Sequence, residues 1–250
     1  MESKNPFFRT KSFNNTSQVH EAVVIDRQET MTVSGTINKS FIMLLLLVST
    51  AFGTWTLAAT GYNPMILAIG GAIIGMILVL VSTFKPNLST YLAPAYAVFE
   101  GLFIGGISYF FELMHPGIVI NAVGGTFVTF LVCFGLFKFG IVKVNDTFRS
   151  VVVAATVAIG VYYLISWLLS MFTSFVPVHY GNSLISIGIS VFVIVIAALN
   201  LFLDFDQIEK GAQQRLPKYM EWYGAMGLMI TLVWLYIEFL RLLSKISSRD

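Results

Sequence analysis

Seven long runs of apolar residues, separated by short polar segments, make up most of the chain. Each run is close to the about 20 residues with which an α-helix crosses about 30 Å of hydrocarbon. Turn-forming residues such as Pro64, Gly117 and Gly181 fall in the breaks between the runs. The pattern predicts an all-α, polytopic membrane protein with seven transmembrane helices. These helices are expected at residues 41–59, 65–84, 89–111, 118–139, 151–172, 184–205 and 223–243.

The two ends of the chain are polar. Residues 1–40 are rich in Ser, Thr and Asn and lack the short apolar run and small-residue cleavage site of a signal peptide. We expect a mobile polar tail over residues 1–40, with a short interfacial helix near the membrane. The membrane domain is expected over residues 41–243, followed by a short polar C-terminal tail over residues 244–250.

The composition agrees with a membrane protein. Apolar residues make up 56% of the chain and charged residues 11%, with a mean hydropathy of +0.80, whereas soluble domains carry roughly 25% charged residues. The basic residues are scattered among connecting segments, so we expect a lipid bilayer and no nucleic acid as a partner. The lone Cys133 excludes an intrachain disulfide and a zinc cluster, and we expect no cofactor.

The positions of Lys and Arg predict the orientation. Residues 1–40 and the loops after the second, fourth and sixth runs hold twelve of the fifteen basic residues, while the loops after the first, third and fifth hold none. Because cytoplasmic loops carry the excess of positive charge, the N-terminus is predicted to be cytoplasmic. Arg241, Lys245 and Arg249 break this pattern if the last run crosses completely. Seven crossings are the default, and a last segment that enters the membrane and returns is the alternative.

Carboxyl groups inside apolar runs are candidate functional residues, because burying them in a membrane is costly unless they face protein or water. Glu100 lies in the third run beside a stripe of small residues formed by Ala97, Gly101 and Gly105. Such a stripe favours close helix contact, so Glu100 should face a neighbouring helix. Either it is protonated and donates an interhelical hydrogen bond, or it takes part in ion or proton passage.

Two aspartates end the sixth run and point to different sides of its helix. Asn200 and Asp204 share one face at i and i+4, whereas Asp206 falls with Lys210 as a favourable i, i+4 pair. We therefore predict that Asp204 faces the bundle and that Asp206 is a solvated charge at the helix end.

Glu238 lies in the last run among apolar and aromatic residues, with Arg241 at i+3. One interpretation is a structural salt bridge between the two. The other is a carboxylate whose affinity for protons is set by its partners, because two nearby carboxyls hold a shared proton. Loss of that proton would leave an oxygen-rich site suited to Ca²⁺.

Three stretches resemble the Bax inhibitor-1 family, also called the transmembrane Bax inhibitor motif family, in a bacterial form. They are residues 95–108, around Ala95-Tyr-Ala-Val-Phe-Glu100; residues 198–209, around Leu203-Asp-Phe-Asp-Gln-Ile208; and residues 220–243. With the spacing of the seven runs, the resemblance covers residues 40–243. It implies a seven-helix fold with the last helix at the centre, in the bacterial inner membrane.

The resemblance also implies a pH-sensitive calcium leak channel in which acids on helices six and seven form the sensor. Those acids fall on Asp204 and Glu238, although the bacterial pattern has aspartate at both positions, so the pH response need not carry over. Glu238 is also about 22 Å beyond Tyr223 along a straight helix, which would leave the two acids at different depths. They would meet if residues 222–231 lay along the interface or folded back, with bends at Gly224 and Gly227.

The leading prediction is thus a channel that leaks Ca²⁺ or another cation, gated by Asp204 with Glu238. Glu100, Asn200, Asp206 and Arg241 are the candidate pore or supporting residues. The first alternative is a non-transporting membrane partner or regulator of membrane proteases or insertion machinery, and the second is a proton-coupled carrier of a small solute. An enzyme is not expected, because no nucleophile with a matching base and no metal-binding set can be assembled.

Overall fold

The computed structural model describes residues 30–173 and 177–249, which contain seven α-helices long and apolar enough to cross a membrane. The predicted fold class is confirmed, while residues 1–29, most of the predicted tail, lie outside the described part. The helices are α1 (Val33–Ala59), α2 (Met65–Phe84), α3 (Ser89–Met114), α4 (Ile118–Lys138), α5 (Asp146–Phe172), α6 (Leu184–Gln213) and α7 (Met220–Ser247). Short 3-10 turns at Pro86–Leu88 and Val178–Tyr180 precede α3 and α6.

Several helices extend past the predicted spans because capping residues, not hydropathy, set their ends. Residues 33–40, predicted as part of the polar tail, form the first turns of α1, and the Thr32 side chain caps them by accepting a hydrogen bond from the Gly35 amide. Asn145 caps α5 in the same way through the Phe148 amide. α7 likewise continues to Ser247, into the predicted C-terminal tail.

Helices α1, α2 and α3 form one group held by close backbone contacts. Gly101 and Gly105 of α3 lie against α1 so closely that a Cβ atom on either would overlap backbone oxygens of that helix, at Leu47 and Ala51 respectively. Gly71 of α2 approaches the backbone of α3 in the same manner. The small-residue stripe predicted in the third run is therefore a helix-packing surface.

Helices α4, α5 and α6 form a second group, in which α6 packs against both α4 and α5. Aromatic rings join α4 to α6: Phe205 lies 5.8 Å from Phe130, 5.6 Å from Phe134 and 5.6 Å from Phe137, measured between ring centroids. The contacts between the two groups are sparse compared with those inside them. The bundle consequently depends on α7 to join its halves.

α7 is an unbroken helix of 28 residues, about 42 Å long, and it packs against α1, α3, α4 and α6. Half of its most apolar 18-residue stretch is buried, the largest share among the seven helices of the described chain. The central position implied by the family resemblance is thus present. Gly224 and Gly227 lie within the continuous helix and make no break.

The two ends of α7 lie on opposite faces of the bundle. Its start contacts the first residues of α1, and we call this face the N-face. Near its other end, Ser248 contacts His115 in the α3–α4 loop at 3.2 Å, and Lys245 donates to Ser190 Oγ of α6 at 2.6 Å. We call that face the C-face. The last segment therefore crosses completely, and the alternative of a returning segment does not apply.

Candidate functional site: buried carboxylates around the last helix

Asp204 of α6 faces α7, as its position on the helix predicts. Its carboxyl group lies beside Gly227 and near Thr231, whose hydroxyl donates to the Gly227 carbonyl oxygen at 3.4 Å. The second carboxyl oxygen, Oδ2, is buried and has no hydrogen-bond partner among the described residues. An unpartnered buried polar atom in a native protein calls for a function or an occupant.

Glu238 is 1% exposed and lies between α7 and α5. Its Oε1 accepts hydrogen bonds from Arg241 Nη1 at 3.0 Å and from the Tyr163 hydroxyl at 3.3 Å. The Arg241 guanidinium also lies over the Tyr163 ring, 5.4 Å from its centroid. Glu238 Oε2 is buried and, like Asp204 Oδ2, has no partner among residues 30–173 and 177–249.

The structure places these two acids at different levels of α7. Asp204 contacts α7 at Gly227 and Thr231, and Glu238 is seven residues, about 10 Å, beyond Thr231. Within the described chain no hydrogen bond joins the two carboxyl groups. The pairing implied by the resemblance required a bent or returning α7, and the unbroken helix holds the acids apart instead.

Asp206 departs from its predicted role. Its Oδ2 accepts from Lys210 Nζ at 2.8 Å, as the i, i+4 spacing predicts, but also from Arg149 Nη2 of α5 at 2.6 Å. The residue is 8% exposed, so the prediction of a solvated helix-end charge is wrong. Asn200 acts similarly, donating to Thr156 Oγ1 of α5 at 2.8 Å. Both side chains therefore hold α6 to α5.

Glu100 is buried in the contact between α2 and α3. A Cβ atom on Gly75 of α2 would lie 2.9 Å from Glu100 Oε2, so the carboxyl faces α2 and not α7. The predicted donation of an interhelical hydrogen bond by protonated Glu100 stays a prediction. A neutral, protonated form of this acid suits a site with no cation beside it.

A fifth carboxylate, Glu221 at the start of α7, escaped the sequence analysis. It is fully buried and accepts from both the amide and the hydroxyl of Thr32 at 2.9 Å, from Lys218 Nζ at 2.9 Å, and from Lys39 Nζ. It thereby ties the beginning of α1 to the beginning of α7. Its position at the polar end of a span gave no signal that its partners would come from α1, 182 and 189 residues away.

The C-face has its own polar cluster around the end of α7. His179 Nδ1 lies 3.1 Å from the Tyr162 hydroxyl, and its ring is 5.0 Å from that of Tyr163. Burial, with the nearby positive charges of Arg241 and Lys245, lowers the pKa of His179. The imidazole is therefore neutral near pH 7 in the folded protein.

No group of three or more His, Cys, Asp or Glu side chains in the described parts of the chain is arranged to hold a metal ion. Asp204 and Glu238 therefore do not form a multi-carboxylate cage of the kind that binds Ca²⁺ tightly.

The described carboxylates fall within one family match. A family model described as Bax inhibitor 1 like matches residues 5–248, and this segment includes all seven helices. A comparison with curated proteins finds no significant match.

Proposed function

This chain belongs to the Bax inhibitor 1 like family, and from that premise we propose that it leaks a cation, Ca²⁺ above all, across the membrane in a pH-dependent way. It is an integral membrane protein with seven membrane-crossing helices. In this proposal, a proton and a cation compete for the same buried carboxyl oxygens.

One observation carries the proposal: Asp204 Oδ2 and Glu238 Oε2 are both buried beside α7, and neither has a hydrogen-bond partner among the described residues. A buried carboxyl group is tolerated when it is protonated, or when a cation compensates its charge. Asp204 therefore offers a place that either a proton or a passing cation can fill, and Glu238, which Arg241 already compensates, offers a further buried oxygen at Oε2. Oxygen ligands are those that Ca²⁺ prefers.

The two acids differ in what surrounds them, and this assigns their roles. Arg241 compensates the charge of Glu238, whereas Asp204 lies near the neutral Thr231 hydroxyl and forms no salt bridge with a described residue. Protonation makes the Asp204 site neutral, whereas protonation of Glu238 would leave the Arg241 guanidinium without its counter-charge. We assign proton sensing chiefly to Asp204, and a second cation contact at the C-face end to Glu238.

Gating follows from the packing of α6 on α7. With Asp204 protonated, the contact is neutral and dry, and the path past Thr231 stays closed. Loss of the proton places a charge in an apolar contact, which water and a cation relieve by entering. Two contacts about 10 Å apart along α7 would pass the cation from one level to the next.

The test is Ca²⁺ entry into liposomes that contain the purified protein, measured with an enclosed fluorescent indicator from pH 5 to pH 8. Asp204→Asn, which cannot ionise, should abolish the pH dependence, and Glu238→Gln should lower the flux while retaining a pH response. Glu209→Gln, an exposed carboxyl on the same helix, is the matched control and should behave as the wild type.

Three results would replace the proposal. If Asp204→Asn and Glu238→Gln leave the flux and its pH profile unchanged, neither acid gates a leak. If the liposomes show no flux and the protein co-purifies with a stoichiometric partner, the non-transporting alternative is favoured. Saturable uptake of a small solute driven by a proton gradient would indicate a carrier.

A further inference from the structure

A long groove opens between α1 and α4 and reaches inward to α7. Its volume is about 810 Å³, within the range of about 300–1,000 Å³ typical of ligand sites. The wall on α4 consists of four phenylalanines and the floor of three apolar residues of α7. These are Phe127, Phe130, Phe134 and Phe137, and Leu228, Met229 and Leu232.

The N-face end of this groove is positively charged. Lys138 and Lys143 line it, both exposed, and neither has a carboxylate partner among the described residues. The two carboxylates that also line this end are already engaged: Asp206 with Arg149 and Lys210, and Glu209 with the Gln213 amide at 3.3 Å. Two lysines thus remain available to an anion.

The dimensions of the groove match one leaflet of a bilayer. Phe127 and Lys138 are eleven residues apart on α4, about 16 Å along the axis, and half of a hydrocarbon core is about 15 Å. A second, smaller groove of about 270 Å³ shares Leu44, Phe127, Met229 and Leu232 with the first and continues toward the C-face. No charged residue lines that continuation.

We propose that the groove is a binding site for an anionic phospholipid. The phosphate lies between Lys138 and Lys143 at the N-face, and the acyl chains follow the phenylalanines of α4 down to the floor on α7. The groove suits such a lipid because it is charged at one end, has apolar walls over the depth of one leaflet and opens toward the membrane. The site is independent of the proposed leak, because it uses neither Asp204 nor Glu238.

The position of this lipid gives it a structural role. α1 belongs to the first helix group and α4 to the second, and both contact α7. A lipid bound between them fills space that no described side chain occupies and links the two groups at the N-face.

The experiment is native mass spectrometry of delipidated protein titrated with phosphatidylglycerol or with phosphatidylcholine of the same acyl chains. The wild type should bind phosphatidylglycerol more tightly than phosphatidylcholine. The double variant Lys138→Gln, Lys143→Gln should weaken that binding by about 30-fold, to the level of phosphatidylcholine. Lys85→Gln, an exposed lysine in the loop after α2, is the matched control and should bind as the wild type.

A second variant tests the apolar part of the groove. Ile37 lines the groove and is 42% exposed. Ile37→Trp should therefore fill the groove and weaken the binding of both lipids equally. Equal binding of the two lipids by the wild type would overturn the proposal, as would a double variant indistinguishable from Lys85→Gln. Cross-linking from position 37 to a stoichiometric protein subunit in membranes would also overturn it, because the occupant would then be a protein.

Discussion

Gly35 of α1 lies directly against the carboxylate of Glu221 at the start of α7, so closely that a Cβ atom on Gly35 would overlap both carboxyl oxygens. The carboxylate cannot easily move aside, because Thr32, Lys39 and Lys218 all donate to it. The missing side chain at position 35 therefore allows an acid of α7 to reach the cap of α1. The contact fixes the start of α1 against the start of α7.

Gly35→Ala should destabilise the protein by about 1–3 kcal/mol, because the added methyl group overpacks a buried contact. Gly53→Ala is the matched control on the same helix, where a Cβ atom would meet nothing within 4 Å. There the substitution should raise stability by about 0.5–1 kcal/mol through better helix propensity. Thermal unfolding in detergent measures both, and equal midpoints for the two variants would contradict the close contact.

Glu221→Gln should lower the free energy of unfolding by about 2 kcal/mol, because it leaves Lys39 and Lys218 without their carboxylate. The value lies below the about 3–5 kcal/mol of a fully buried pair, since the Lys218 side chain is 45% exposed and regains water. Glu209→Gln, an exposed carboxyl, should change stability by less than about 0.5 kcal/mol. Denaturation midpoints of the two variants side by side give the comparison.

Arg241→Gln should destabilise the protein by about 2 kcal/mol at neutral pH, because it removes the ion-pair partner of buried Glu238. The value lies below the about 3–5 kcal/mol of a fully buried pair, since the Arg241 side chain is 41% exposed and Lys245 remains nearby. The double variant Arg241→Gln, Glu238→Gln should be more stable than Arg241→Gln alone, since no charge is then left buried. A double-mutant cycle on unfolding midpoints measures this coupling. Strictly additive effects would show that the ion pair contributes nothing.

Stability should fall on acidification partly through His179. Its pKa is lowered in the folded protein, so below about pH 6.5 the unfolded chain binds a proton more readily than the folded one. The stability that this neutral histidine provides is complete above that pH and is lost as the pH falls through the folded pKa. Protonation would place a third positive charge near Arg241 and Lys245, with Glu238 as the facing acid.

Thermal midpoints from pH 5 to pH 8 test this effect. His179→Gln should lose less stability on acidification than the wild type does. His115→Gln, which removes the histidine of the other C-face loop, should follow the wild-type curve. An identical pH dependence in all three proteins would show that His179 does not titrate in this window.

The sequence predicted the helices well because crossing a bilayer demands long apolar runs, and these are visible without any tertiary contact. All seven spans and the packing stripe of Gly101 and Gly105 could be predicted for this reason. Helix ends were less accurate, since α1 starts at a Thr32 cap inside a polar segment. The direction of Asp204 toward α7 and the pairing of Asp206 with Lys210 also followed from helical periodicity, whereas the burial of Asp206 against α5 did not.

The partners of the acids could not be predicted, because periodicity gives a direction on one helix and not the neighbour found there. Arg149, the partner of Asp206, is 57 residues away on α5. The pairing of Asp204 with Glu238 came from family resemblance, and helical rise already argued against it. The sequence did not indicate that Glu221 is buried, because its burial depends on contacts with residues at the start of α1.

The central place of α7 has a consequence for how the protein is made. Ribosomes deliver the N-terminal helices first, so the support shared by both three-helix groups is the last to reach the membrane. Until it inserts, Asp204 lacks the Thr231 hydroxyl, and Lys39 lacks its carboxylate. Assembly of the complete bundle must therefore wait until α7 has been synthesised, although the close contacts among α1, α2 and α3 do not involve α7.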